Sequence, residues 1–155
     1  RAVRIALTER LREELGEAYS PGASSAPSRT YTGYGTFQVQ AALDVASIDT
    51  ARAAMLGVVE DFRAGAIDAD TVERAKRPLL EDYRNALKTL SGWMNLVRRI
   101  QSEPERVGRW LAVPERLERI GAQEIGATAE RWLDPVGALE IVVLPKHDCA
   151  PDAAC

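Results

Sequence analysis

The strongest constraint in this chain is a change of hydrophobic period. From Tyr34 the residues alternate, with Phe37, Val39, Ala41 and Leu43 on one side and Thr36, Gln38 and Gln40 on the other. A period of two marks a strand with one buried and one wet face, so a strand is expected from Tyr34 to Leu43. Ahead of it the period is helical. Val3, Leu7, Leu11 and Leu15 stand four apart, and Gly16 follows where a C-cap glycine belongs. Between the two, the Pro-, Gly- and Ser-rich stretch from Ser20 to Ser28 reads as a turn, opening after a short extended run through Tyr19.

The rest is mostly helical. Ile48, Met55 and Phe62 are seven apart, with Ala51, Val58 and Val59 filling the stripe, and Gly65 ends that helix. Asp68 or Asp70 can cap the next one, whose apolar positions are Val72, Leu79, Tyr83, Leu87 and Leu90. Pro78 falls inside it and is expected to kink it or to leave one carbonyl unpaired. A shorter helix carries Trp93, Leu96, Val97 and Ile100, and short helical turns are expected between Pro104, Pro114 and Gly121. Ile120, Ile125, Ala129 and Leu133 form a last amphipathic helix, and Leu139 to Leu144 reads as a final strand closed by Pro145. Helices grouped apart from a few strands predict an α+β fold, with helices packed on one face of a mainly antiparallel sheet. No internal repeat is visible.

Composition narrows the function classes. At 155 residues and 17.0 kDa the chain suits one domain or part of a larger one. With 46% hydrophobic and 28% charged residues it is not a disordered polymer. A net charge of -3 argues against a dedicated nucleic-acid binder. No apolar run approaches the ~20 residues of a membrane span. Seventeen Arg against three Lys, with 24 Ala, fit a GC-rich bacterial genome. The chain begins at Arg1 inside an apolar-periodic segment, which reads as a piece of a longer polypeptide. Its two cysteines, Cys149 and Cys155, lie near the end, so the fold does not depend on disulfides. They form either a small bridged loop, as in an exported protein, or two free thiols on a tail.

Catalytic patterns are missing. The one histidine, His147, sits with Asp148 and Cys149 beyond the last expected strand, where no scaffold would fix a metal's geometry. No H-x-x-E-H, G-x-S-x-G or phosphate-loop pattern occurs, and Gly33-Tyr34-Gly35 precedes a strand and reads as a turn. Glu13-Glu14 and Glu81-Asp82 are interspersed with Arg, as on solvated helix faces.

One stretch carries more. Leu11-Arg12-Glu13-Glu14-Leu15-Gly16-Glu17-Ala18-Tyr19-Ser20 closely resembles the L-R-E-x-L-G-x-A-Y-S run of the insulinase/pitrilysin-like zinc peptidases, the inverzincins. The turn, the Tyr34-Gly35-Thr36-Phe37 strand, the run from Gly65 to Lys76 and the block Leu90-Ser91-Gly92-Trp93 follow in that family's order. The similarity runs from residue 1 to about 146, so residues 1–146 are taken as a partial C-terminal α+β domain and 147–155 as a tail.

The resemblance implies a clamshell of two halves, each of two related domains, with the zinc motif in the first half. That motif is missing here, so no metal or catalytic residue is assigned to this chain, and zinc is implied only for the other half. The second half of such enzymes closes the chamber and supplies an Arg–Tyr pair, spaced R-x-x-x-x-x-x-Y, that binds the peptide near the scissile carbonyl. Arg12 and Tyr19 match that spacing, and Arg10 is the alternative arginine. Both donor types suit a carbonyl or a developing oxyanion. Tyr31 and Tyr34 either line the same cleft or pack with the strand. The implied partners are an N-terminal catalytic half, or a partner subunit, and a peptide substrate. The implied setting is bacterial, periplasmic or otherwise exported. A non-catalytic structural subunit is the other reading. A partial domain would expose apolar surface, so self-association is also expected.

Overall fold

The computed structural model describes residues 1–16 and 20–145. Helix α1 (Ala2–Leu15) ends at Gly16, whose φ of 68° lies in the left-handed region and whose N–H donates to the Arg12 carbonyl at 3.0 Å. Only glycine enters that conformation without strain, so the expected helix stop is realised in atoms.

A hairpin follows. Strand β1 (Gly22–Pro27) runs antiparallel to β2 (Gly35–Gln40), with Ser24 opposite Gln38 and Ser25 opposite Phe37. The expectation of a turn over Ser20–Ser28 is thereby corrected. Its Gly, Ala and Ser residues carry no alternation of their own, and only pairing with β2 makes them a strand. The turn lies later. The Ser28 hydroxyl accepts the N–H groups of Thr30 and Tyr31 at 3.3 and 2.9 Å, and Gly33 takes φ 79°. Strand β2 is also shorter than its period suggests. Pairing stops at Gln40, and Ala41 and Leu43 turn off to pack against Leu11, Ala51 and Ala54. Ala23 and Val39 meet the main core, but Phe37 stays 38% exposed, so the apolar side of the hairpin is only partly covered.

A short 3-10 turn (Val45–Ser47) leads into α2 (Ile48–Arg63), which buries Ala51, Ala54, Val58 and Phe62. Asp68 caps α3 (Ala69–Ala86) by accepting the Thr71 N–H at 3.2 Å, and the helix continues through Pro78. The stripe expected to reach Leu90 ends early, because α3 stops at Ala86 and Leu90 opens α4 (Leu90–Val97). Helices α5 (Arg106–Leu111), α6 (Val113–Arg119) and α7 (Ala122–Trp132) complete the set.

The core lies where α1 crosses α2 and α3 and where α7 packs on α2. Leu7 is fully buried there, in one cluster with Val3, Val58, Phe62, Ala75 and Ala129. Each large side chain so buried contributes roughly 1.5–3 kcal/mol. Gly126 lets α7 come close, since a Cβ there would stand 3.0 Å from the Gly65 Cα. Helices α4 to α6 pack more thinly. Leu96 is their one buried side chain among the described residues, and Trp110 of α5 stacks on Tyr83 of α3 with centroids 4.4 Å apart.

The expected strand Leu139–Leu144 is not formed within the described residues. Its backbone has no ladder partner there. Exposure still alternates, with Leu139, Ile141 and Val143 at 86, 76 and 86% against Val142 and Leu144 at 47 and 45%. Glu140 reaches Arg52 of α2 at 2.6 Å. A strand exists only as a member of a ladder, and an apolar alternating run without a neighbour remains a single line of chain. The fold is α+β, with seven helices and one antiparallel two-stranded sheet among the described residues. The tail 147–155 lies outside them.

Candidate functional site

Three ion pairs hold α1 in its cradle. Arg1 meets Asp82 at 2.7 Å, Glu9 meets Arg74 at 2.6 Å, and Arg10 meets Asp61 at 2.8 Å. Hydrogen bonding to Glu9 raises the Arg74 pKa above its already high value. All six side chains are more than a third exposed, so solvent screens these pairs and they act mainly on orientation.

This separates the two candidate arginines. The Arg10 guanidinium lies along α2 and is engaged by Asp61. Arg12 is exposed on the last turn of α1, and its carbonyl carries the glycine cap. The helix therefore ends one turn after Arg12, at Gly16. Tyr19, the other member of the expected pair, lies outside the described residues. Tyr31 and Tyr34 sit at the hairpin turn, 70 and 62% exposed, which overturns the reading that they pack with the strand.

Among the described residues no three His, Cys, Asp or Glu side chains converge on a place for a metal ion. His147, Asp148, Cys149 and Cys155 lie outside that set. The donor groups a zinc ion requires are thus not assembled in the described part of the chain. No helix in the described residues is long and apolar enough to cross a membrane.

A concavity of about 570 Å³ lies between the end of α3 and helices α4 to α6. Thr89, Ser91, Asn95, Arg106, Arg109 and Arg116 line it. Arg106 is fastened to the end of α4, donating to the carbonyls of Leu96 and Asn95 at 2.9 and 2.8 Å. Short helices do span this region, as Pro104, Pro114 and Gly121 predict, and they carry these arginines. Their signal was six Arg against four Glu between positions 98 and 119, in a chain whose net charge is negative.

Neither a curated protein nor a solved structure matches this chain. Residues 5–79 match the family model described as the Peptidase M16 inactive domain. The matched stretch runs from α1 through the hairpin and α2 into α3, and so contains Arg10, Arg12 and Tyr19. Through residues 5–79, just under half of its length, this chain is similar to the inactive C-terminal domain of the insulinase-like M16 peptidases.

Proposed function

We propose that this chain is the non-zinc-binding part of a zinc metalloendopeptidase, where it binds peptide and closes the proteolytic chamber. The observation that carries the reading is the Arg12–Tyr19 spacing across a glycine helix cap, within the matched segment, with Arg12 exposed and Arg10 engaged by Asp61. A guanidinium at a helix end can donate two parallel hydrogen bonds to a peptide backbone, and a phenol can donate a third. Such donors act most strongly on charge that grows at the scissile carbonyl. The zinc and its general base belong to the N-terminal catalytic half, and the enzyme is a bacterial, exported one.

The test uses the full-length parent and a quenched fluorescent peptide, with and without chelator. Arg12→Ala or Tyr19→Phe is expected to lower kcat/KM by about 10²-fold. Arg10→Ala is expected to lower stability by up to about 1 kcal/mol while sparing cleavage. Full activity in both Arg12→Ala and Tyr19→Phe would remove the site assignment.

The second reading, a structural subunit packed on an active partner, is favoured by the uncovered apolar run 139–144 and by Leu90, Trp93 and Met94 of α4, each at least 50% exposed. A well-folded parent without chelator-sensitive activity would decide for it.

A further inference from the structure

The cleft between α4, α5 and α6 has walls of one charge. Three arginines line it, and no aspartate or glutamate does. Two of the three are held in place. Arg106 is only 25% exposed and is fixed by two backbone carbonyls and by Glu103 at 3.2 Å. Arg109 meets Glu103 at 2.9 Å and Glu105 at 3.2 Å. Arg99, Arg106 and Arg109 thus stand against two carboxylates, Glu103 and Glu105, which leaves this cluster one positive charge in excess. The third, Arg116, is exposed and has no ion-pair partner among the described residues. The hydroxyls of Thr89 and Ser91, 3.2 Å apart, stand on the same surface. A volume of about 570 Å³ falls within the range of sites that hold small ligands or a few side chains.

We propose that this cleft is a carboxylate-binding subsite that takes an acidic stretch of peptide. It rests on the reading that the chain binds peptide, and extends it by naming a preference. Arg116 receives a carboxylate in charge-assisted hydrogen bonds, and Arg106 and Arg109, fastened by Glu103 and Glu105, hold the wall beside it. The source is either acidic side chains or a free peptide C-terminus, which share the same chemistry.

The experiment measures fluorescence anisotropy of peptides carrying a neutral dye, titrated with this chain. One peptide is blocked at both ends and rich in Glu and Asp. A second has Gln and Asn in their place, and a third is the second with a free C-terminus. Tighter binding of the first or the third by about 10-fold or more over the second supports the subsite and identifies the source of the carboxylate. Arg116→Glu removes that difference, whereas Arg4→Glu, an equal change of charge at an exposed position of α1, keeps it. Equal affinity for all three peptides refutes the proposal, and so does equal loss in both variants, since bulk charge alone would then explain binding. Far-UV circular dichroism confirms that each variant is folded. Cleavage of an uncharged peptide by the full-length parent is read separately, so either proposal can fail without the other.

Discussion

Replacing Gly92 by alanine sets two physical effects against each other. Gly92 is the third residue of α4, and intrinsic propensity alone favours Ala over Gly in a helix by about 1 kcal/mol. The tertiary structure opposes this. A Cβ at Gly92 would stand 1.4 Å from the carbonyl oxygen of Ala86 and 2.6 Å from its carbon, both backbone atoms at the end of α3. No rotamer relieves that contact, so α4 must move away from α3. The cost of moving it is bounded by what α4 buries, and its one buried side chain is Leu96 at 8% exposure. Giving up that burial costs roughly 1.5–3 kcal/mol. After the propensity gain, a net loss of about 0.5–2 kcal/mol remains. For a domain of this size that lowers Tm by about 1–8 °C. Gly108 in α5 is the control, because a Cβ there meets nothing within 4 Å, and Gly108→Ala is expected to raise stability by about 0.5–1 kcal/mol. Thermal and urea melts of both variants, followed by circular dichroism, give the signs. If Gly92→Ala is as stable as Gly108→Ala, the close approach of α3 and α4 is refuted.

Two further outcomes follow from the same structure. The Glu124 carboxylate accepts the Gly121 N–H at 2.9 Å at the start of α7, and that bond holds its pKa below the ordinary glutamate value. A depressed carboxylate stabilises the fold above its unfolded pKa and loses that effect as pH falls through the folded one. Glu124→Gln should therefore be less stable than the wild type near neutrality, with the gap closing in acid; a gap that stays constant across the titration contradicts the linkage. The run 139–144 exposes Leu139, Ile141 and Val143 on one side. This chain is thus expected to self-associate at micromolar concentration, and Ile141→Lys with Val143→Lys should restore a monomer by light scattering, whereas a monomeric wild type removes the expectation.

Several elements were legible because they depend on near neighbours in sequence. The helix α1, its stop at Gly16, the Asp68 cap and the stripe of α2 all follow from spacing and local chemistry, and each stands where the residues put it. The Arg12–Tyr19 spacing is read in the same way, from contiguous sequence, and Tyr19 lies outside the described residues. What spacing could not convey was the difference between Arg10 and Arg12. That difference arises because α2 brings Asp61 to one of them, 51 residues away along the chain.

Partners decided the rest. Residues 22–27 have no strand signal and yet form β1, since β2 offers a ladder. Residues 139–144 have a strong strand signal and form none among the described residues, since no ladder is offered. The arginines of the α4–α6 cleft were plain in composition, but only the packing of three short helices turned them to one surface. Helix periods, caps and the family resemblance are properties of contiguous sequence, so the amino-acid order alone determined them. Strand membership, the choice between neighbouring arginines and the cationic cleft depend on hydrogen bonds and charges supplied from distant positions, and those exist only once the chain has closed on itself.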